Sequence, residues 1–126
     1  MTVTDARLAI SEVAEATGLS THTLRYYERA GLMLTPVGRG SSTHREYLDA
    51  DIGWVTFLTK LRSTAMPIAR VREYAELVRA GDATTLDRLE LLQRHRITVQ
   101  AQLEEMTRAL EAIDYKIGLY QKEATS

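Results

Sequence analysis

The chain has 126 residues with a net charge of −1, and 44% of its residues are hydrophobic, which is enough for one small domain with a modest core. It contains no cysteine, and this excludes disulfides, thiolate metal sites and thiol-based redox sensing. The chain has no run of about 18 apolar residues and no signal pattern at its N-terminus, so it is predicted to be cytoplasmic.

Two short helices separated by a glycine turn are predicted near the start of the chain. Ser11 is predicted to cap a first helix that runs to about Thr17 and ends at Gly18. Ser20 is predicted to cap a second helix that ends near Ala30-Gly31. A small residue, a turn glycine and an apolar residue have the spacing typical of a helix-turn-helix, namely Ala14, Gly18 and Leu24.

The second helix carries the segment Thr23-Leu24-Arg25-Tyr26-Tyr27-Glu28. A cation and phenol hydroxyls on a helix entered from a glycine turn are suited to a DNA groove and its phosphates. The plainer interpretation is a surface arginine beside two half-buried tyrosines, and helical spacing indicates that one tyrosine packs inward. The predicted DNA contacts on this helix are Thr21, His22, Thr23, Arg25, Tyr26 and Tyr27, with Arg25 and Tyr27 favoured and Tyr26 shared with packing.

Residues 35–47 are rich in proline, glycine, serine and threonine, which predicts a turn. Val37 and residues 43–47 are expected to pair as a short hairpin, or wing. A solvated loop also carries charge, but the glycines and serines here allow the backbone to come close to a ligand. The wing therefore adds the candidate DNA contacts Arg39, His44 and Arg45.

Two longer helices follow the wing. Asp49 is predicted to cap a third helix through about Ser63, and Pro67 to lie in the first turn of a fourth helix that stops at Gly81. Arg62, just before the bend between them, is either a phosphate contact or a solvated side chain. The other basic residues of these helices, Lys60, Arg70 and Arg72, are expected to be mostly solvated surface.

Apolar residues spaced alternately three and four apart fill the last part of the chain. They predict one helix from about Leu86 to Tyr120, roughly 50 Å long, which is too long to bury its stripe on a small domain. A coiled coil with a second copy is therefore expected, in residues 81–126, after a DNA-binding domain in residues 1–80. Arg96, the only break in the stripe, either sets the register or points outward. The predicted dimer contacts are Leu89, Leu92, Val99, Leu103, Met106, Leu110, Ile113 and Ile117.

No enzyme signature occurs in the sequence, and its three histidines lack the spacing of metal ligands, so no catalysis and no cofactor are expected. Residues 1–72 hold nine basic and seven acidic residues, and residues 73–126 hold seven and ten. DNA affinity therefore has to come from local clustering. The alternative function is a coiled-coil adaptor that binds protein through the long helix and keeps a vestigial helix-turn-helix.

These segments together resemble the MerR family of bacterial transcription regulators. The first helix, the 23–28 segment with the following Gly31-Leu32, the wing and the bend between the third and fourth helices occur in the family's order. The resemblance covers roughly residues 8–120. The matching segments are Ile10–Ala14, Thr23–Glu28, Arg39, Arg45–Tyr47 and Leu61–Ile68.

The resemblance implies an all-α fold with a small β-hairpin wing: a winged helix-turn-helix domain followed by a long dimerising helix in an antiparallel coiled coil. It also implies that the homodimer binds a near-palindromic site in an over-long promoter spacer. The DNA is then distorted so that both promoter elements align for RNA polymerase. By the motif match, the phosphate or groove contacts are Arg25, Tyr27, Arg39, Arg45 and Arg62.

The sequence departs from the family pattern at several positions. The wing has Thr43-His44-Arg45 where the family has Gly-Tyr-Arg, and Ala65 stands where a glycine usually precedes the methionine of the bend. The cysteines of metal-sensing relatives are absent. Only Gln121–Ser126 follow the long helix, as expected for a short form without a C-terminal effector domain.

Overall fold

The computed structural model describes residues 7–34, 38–39 and 45–126. It confirms the mostly helical chain with a small antiparallel hairpin and a long C-terminal helix. The described residues form two compact units that divide between Arg88 and Leu89. The elements are β1 (Arg7–Ala9), α1 (Ile10–Thr17), α2 (Thr21–Arg29), β2 (Gly38–Arg39), β3 (Arg45–Leu48), α3 (Asp49–Ser63), α4 (Ile68–Arg79) and α5 (Thr85–Thr125), with a short 3₁₀ turn at Asp82–Thr84.

The strands form one antiparallel sheet in the order β1-β3-β2. Leu8 of β1 pairs with Tyr47, and Arg39 pairs with Arg45 across the predicted hairpin. The predicted hairpin positions Val37, Thr43 and His44 lie outside the described residues. Strand β1 was not expected, because a three-residue strand whose partner lies about 40 residues away leaves no local signal.

The N-terminus of α1 differs from its prediction. The capping position is Ala9, not Ser11, which lies inside the helix. The carboxylate of Glu12 accepts a hydrogen bond of 3.0 Å from the Ala9 amide. An acidic side chain in the third helical position thus satisfies the capping residue's own amide, which is the half of a capping box that needs no serine.

Helix α3 repeats this arrangement. Leu48, not Asp49, occupies its capping position, and the Leu48 amide donates to Asp51 Oδ2 at 2.8 Å. Asp51 is the one buried charged side chain among the residues whose burial the structure describes. Its hydrogen bond offsets the cost of that burial and fixes the point at which β3 becomes α3.

Helix α2 has the ends that the sequence predicts. Ser20 caps it, since the Ser20 hydroxyl accepts from the Thr23 amide at 3.0 Å. At the other end Gly31 has φ +73°, and the Leu32 amide donates to the Tyr27 carbonyl at 3.0 Å. This glycine cap reverses the chain immediately after the helix.

One core unites these elements in the first unit. Each of the helices α1 to α4, the segment after α2 and strand β3 contribute buried apolar side chains, so the wing and the two short helices pack as one body. The buried apolar residues are Val13, Leu24, Tyr27, Leu32, Met33, Tyr47, Val55, Leu58, Leu61, Met66, Val71 and Ala75.

The bend between α3 and α4 holds Ala65 in a left-handed conformation, with φ +69°. The Ala65 amide donates to the Arg62 carbonyl and the Met66 amide to the Leu61 carbonyl, each at 3.0 Å. This is the helix ending that normally contains glycine, because a Cβ in this conformation is strained. Among described residues other than glycine, only Ala65 has a positive φ.

We expect Ala65→Gly to stabilise the protein by about 0.5–1 kcal/mol. Relief of roughly 1–2 kcal/mol of left-handed strain exceeds the added freedom of glycine in the unfolded chain, about 0.4–1 kcal/mol. Urea unfolding at one fixed protein concentration measures the difference. Ala69→Gly, inside α4, is the matched control and should destabilise. An Ala65→Gly protein no more stable than the parent would contradict the strain.

Candidate nucleic-acid interface

One face of α2 is turned away from the core. Positions 22, 25, 26 and 29 share this face by helical spacing. His22 and Arg29 are exposed, and Arg25 is partly buried. Within the described part of the chain, the Arg25 guanidinium has no hydrogen-bond or ion-pair partner. Two cations and a tyrosine hydroxyl on one short face form an arrangement suited to phosphate oxygens.

The two tyrosines of α2 divide between the core and the surface. Tyr27 is 5% exposed and belongs to the core, whereas Tyr26 is 40% exposed. Their rings lie 6.2 Å apart with an angle of 54° between their planes. The expected division, with Tyr26 closer to packing than Tyr27, is therefore corrected. Because the Tyr27 ring is buried, only the hydroxyl group of this side chain remains available for the predicted DNA contact.

The remaining predicted contacts on α2 lie at its N-terminus. Thr21 and Thr23 are partly buried. The Thr23 hydroxyl accepts a hydrogen bond of 3.0 Å from the Ser20 hydroxyl, so it belongs to the helix cap. Its own proton stays available, because a hydroxyl both donates and accepts. DNA contacts by both threonines remain predictions.

Four consecutive backbone carbonyls, at positions 30–33, are bound by side chains from α3 and α4. They directly follow α2, so these hydrogen bonds fix the end of that helix. Arg79 binds two of them, and Arg72 and Trp54 bind one each. The bonds are Arg72 Nε to Ala30 O (2.9 Å), Arg79 Nη1 to Gly31 O (3.1 Å), Trp54 Nε1 to Leu32 O (2.8 Å) and Arg79 Nη1 to Met33 O (2.8 Å).

We name Trp54, Arg72 and Arg79 the carbonyl clamp. The sequence did not reveal it, and Arg72 was expected to be mostly solvated. The three clamp residues lie 22 to 48 residues along the chain from the carbonyls that they bind. No local sequence pattern connects residues at such separations. Trp54 is itself held by Tyr74, whose ring stacks on the indole at 5.7 Å with a 12° angle between planes. The clamp positions α2 without using a residue on its exposed face.

Glu28 connects α2 to the wing. The Tyr47 hydroxyl donates to Glu28 Oε2 at 2.7 Å, and the Tyr47 side chain is fully buried on β3. A hydrogen bond to a charged acceptor is worth about 1.5–3 kcal/mol. The last residue of the 23–28 segment therefore has a structural role: it fixes β3, the second strand of the wing, relative to the helix.

The predicted wing contacts are only partly described. Arg39 and Arg45 face each other in the pairing of β2 with β3, which brings their backbones to one place in the sheet. His44 lies outside the described residues. The structure thus places the backbones of the two predicted wing arginines side by side, with Arg45 on β3, the strand that Glu28 holds, and Arg39 on its neighbour β2.

Arg62 is exposed at the bend before α4. Its Nη1 donates to the Met66 carbonyl at 2.6 Å, across the turn that contains Ala65. A guanidinium carries five N–H donors, so this bond leaves others for an anion. Arg62 therefore combines a structural contact with a phosphate contact that remains a prediction.

Sequence reasoning missed Arg29 as a candidate contact. It is exposed, lies one helical turn after Arg25, and was already placed on the same face by helical spacing.

The described residues contain no cluster of three or more histidine, aspartate or glutamate side chains placed to bind a metal ion. None of the helices in the described ranges has the length and apolar character needed to cross a bilayer.

Helix α5 spans 41 residues, about 60 Å at 1.5 Å per residue, and runs to Thr125 rather than to about Tyr120. None of its side chains is buried. Six predicted seam residues are between 48% and 70% exposed, and Leu92 and Val99 are partly buried. The six are Leu89, Leu103, Met106, Leu110, Ile113 and Ile117.

Comparison with known proteins gives the family. Residues 8–77, from β1 into α4, match the model of the MerR HTH family of regulatory proteins. The chain belongs to this family. A MerR-type fold accounts for the order of helix-turn-helix, wing and paired helices, and for the long helix that follows the matched region.

Relatives of this MerR-family chain are regulators by name. It is 36% identical over 112 residues to an uncharacterized HTH-type transcriptional regulator of Haemophilus influenzae, covering 89% of this chain and 82% of that protein. It is 40% identical over 87 residues to the HTH-type transcriptional regulator AdhR of Bacillus subtilis, covering 69% of this chain and 61% of AdhR. The chain thus spans less than two thirds of AdhR.

A solved structure is similar over nearly the whole chain. HiNmlR, a MerR family regulator lacking the sensor domain, was crystallised bound to promoter DNA. The two chains are 34% identical with a TM-score of 0.83, covering 93% of this chain and 92% of HiNmlR. The similarity therefore includes α5 as well as the MerR winged helix-turn-helix.

We expect Arg79→Met to lower the free energy of unfolding by about 1–2 kcal/mol, because it leaves the Gly31 and Met33 carbonyls without their charged donor. Arg70→Met is the matched control: it removes the same charge from α4, but Arg70 is 64% exposed and paired only with Glu73. Its effect should stay within about 0.5 kcal/mol. Urea unfolding and amide exchange of α2 measure both, and equal losses would argue against the clamp.

Proposed function

We propose that this chain is a homodimeric, sequence-specific DNA-binding transcriptional regulator, acting in the cytoplasm on a palindromic promoter site that it distorts. The observation that carries the proposal is the exposed face of α2, where Arg25 lacks a partner within the described residues and lies beside Tyr26 and Arg29. The carbonyl clamp holds that face in place from behind. HiNmlR, similar over most of its length, binds promoter DNA and so supports this reading.

In this proposal α2 enters the major groove and the wing contacts the flanking backbone. Tyr26 and Arg29 supply exposed donors, the partly buried Arg25 supplies its guanidinium from the same face, and the Tyr27 hydroxyl supplies one at the edge of the core. Backbone contacts from charged side chains fix position on the duplex, whereas base edges carry the sequence information. The further proposed contacts are Thr21, His22, Thr23, Arg39, His44, Arg45 and Arg62.

Two copies are proposed to join through α5, as an antiparallel homodimer. A stripe of exposed apolar residues along a helix of about 60 Å is typical of a surface that a partner helix covers. A monomer with a net charge of −1 has little general attraction for DNA. Two α2 helices on one dimer double the specific contacts and account for a site with two-fold symmetry.

The proposed distortion aligns promoter elements for RNA polymerase, as the family resemblance implies. Bending a 20–30 bp site costs on the order of 1–6 kcal/mol. Charge-assisted contacts of about 1.5–3 kcal/mol each, from two copies of α2 and the wing, are sufficient to offset that cost. Rigid placement of α2 by the clamp matters here, because a loosely held helix would follow the DNA instead of bending it.

Arg25→Ala should weaken binding to a dyad-containing promoter fragment by about tenfold or more, since each good phosphate or base contact is worth roughly 1–3 kcal/mol. The slope of log affinity against log salt should also fall by about one per half-site. Fluorescence anisotropy on the intergenic DNA beside the gene measures both.

Arg94→Ala is the matched control for that experiment, because Arg94 is an exposed arginine on α5 that pairs only with Glu90. It should bind DNA like the parent. If Arg25→Ala also binds like the parent, α2 is not the recognition helix. If no fragment gives a salt-dependent affinity, the regulator proposal itself fails in favour of a protein-binding adaptor.

The double variant Leu103→Asp and Leu110→Asp should be monomeric, since it places four carboxylates in one apolar seam. Ala101→Asp with Arg108→Asp, two exposed positions on the opposite face of α5, should remain dimeric. Light scattering at matched concentration distinguishes the two outcomes, and circular dichroism checks that α5 stays helical. A dimer that survives in the seam variant would refute α5 as the interface.

A further inference from the structure

The apolar stripe of α5 contains one charged residue. Ten positions from Leu89 to Tyr120 alternate in steps of three and four, and nine of them are apolar. Arg96 is the exception, and it is exposed. A charge inside a helical seam has to find a partner when the seam closes, because an unpaired charge taken out of water is costly.

The orientation of the two helices decides what Arg96 faces. In a parallel, in-register pair each stripe residue meets its own copy, so Arg96 would face the partner's Arg96 across a desolvated seam. Two like charges in that position repel. In an antiparallel pair Arg96 meets a different stripe position, all of which are apolar. The charge pattern therefore favours the antiparallel arrangement that the proposed function includes.

The register follows from the length of the stripe. An antiparallel pair that joins its first position to its last leaves no stripe residue unpaired. A shift by one heptad in one direction places Leu89 beyond the end of the partner's α5 and leaves Leu92 facing only the small Ala124. A shift in the other direction places Ile117 opposite Thr85 and Tyr120 beyond the start of the partner's α5. In the complete register the facing pairs are Leu89 with Tyr120, Leu92 with Ile117, Arg96 with Ile113, Val99 with Leu110 and Leu103 with Met106.

This register brings an acid to Arg96. Asp114 directly follows Ile113, the residue that faces Arg96, and it borders the same row of the stripe, since it lies four residues after Leu110 and three before Ile117. In an antiparallel pair equivalent flanks of the two helices lie on the same side of the seam. The partner's Asp114 therefore lies beside Arg96, within reach of a long guanidinium side chain.

Neither residue has an alternative partner on its own helix. Positions three and four residues from Arg96 are glutamine or apolar, and those around Asp114 contain no base. By contrast, Arg94 forms an ion pair of 2.6 Å with Glu90 on the outer face. Among the described residues, neither Arg96 nor Asp114 has an ion-pair partner within one chain.

We propose that the homodimer closes in this single register, with Arg96 of each chain in an ion pair with the partner's Asp114. The inference rests on the proposed homodimer. It adds the register of the two α5 helices and the ion pair that selects this register. Two symmetry-related pairs result, one near each end of the paired region. Because other registers leave Arg96 desolvated and unpaired, the ion pair acts chiefly by excluding them.

Charge reversal tests the ion pair. Arg96→Asp and Asp114→Arg should each raise the dimer dissociation constant about tenfold, since each turns both symmetry-related ion pairs into pairs of like charges. The double variant should return to within about threefold of the parent. Analytical ultracentrifugation of the full chain measures all three. Single variants without effect, or a double variant weaker than both, would overturn the pair.

Arg108→Asp is the control, because it makes the same charge change on the exposed outer face. Its dissociation constant should match the parent's. A loss as large as that of Arg96→Asp would show that the effect is general charge repulsion and not a specific contact.

Cysteine cross-linking tests the register directly, since the chain has no cysteine of its own. Mixed Leu103→Cys and Met106→Cys chains should give a disulfide-linked heterodimer on mild oxidation, because a disulfide needs Cα atoms about 4.4–6.8 Å apart and only facing positions of the seam come that close. Met106→Cys mixed with Leu110→Cys should not.

The outcomes separate the two proposals. Efficient linkage only between positions 106 and 110 would keep the dimer and overturn the register. A chain that sediments as a monomer under all conditions would overturn the homodimer of the proposed function, and with it this inference.

Discussion

The position of α2 depends on the carbonyl clamp. A helix of nine residues is too short to be stable on its own in water, so tertiary contacts have to define both its existence and its direction. Leu24 and Tyr27 anchor its inner face in the core. The clamp holds the four carbonyls that follow it, and these hydrogen bonds come from α3 and α4, two longer helices of 15 and 12 residues.

In α2, the residues that hold the helix in place differ from those proposed to contact DNA. Within the 23–28 segment, Leu24, Tyr27 and Glu28 face the core or the wing, whereas Arg25 and Tyr26 face outward. Three of the six residues in a segment whose sequence suggests a DNA-contact surface therefore serve to hold the fold together. The same division applies at the bend, where Arg62 donates to the Met66 carbonyl and also stands at the surface. Substitutions in such segments change fold stability and DNA affinity together, and only paired measurements separate them.

The sequence predicts what depends on neighbouring residues. The ends of α2, the end of α3 and the continuous α5 follow from capping preferences and periodicity, and all are present. The caps of α1 and α3 were misassigned, because an acidic side chain three positions into the helix, Glu12 or Asp51, binds back to an apolar capping residue. Strand β1 and the carbonyl clamp join residues far apart in sequence, so no local pattern indicates them. Which of Tyr26 and Tyr27 packs inward depends on how α2 is rotated against the core, and the sequence of the helix alone does not fix that rotation.

The clamp also limits how the protein can hold DNA. Arg72 and Arg79 count toward the positive charge of the first unit, yet hydrogen bonds to the carbonyls after α2 tether both guanidinium groups, so neither side chain swings freely toward a phosphate. In the proposed function, one DNA-binding domain therefore contributes few mobile cations, and we expect its contact with a duplex to be brief. In the proposed homodimer, the effective concentration then sets the residence time on DNA: while one protomer's DNA-binding domain stays bound, the other protomer's domain rebinds before the first is lost. We therefore expect dwell time on a promoter to depend on the proposed dimer more than on the DNA-binding surface of one protomer.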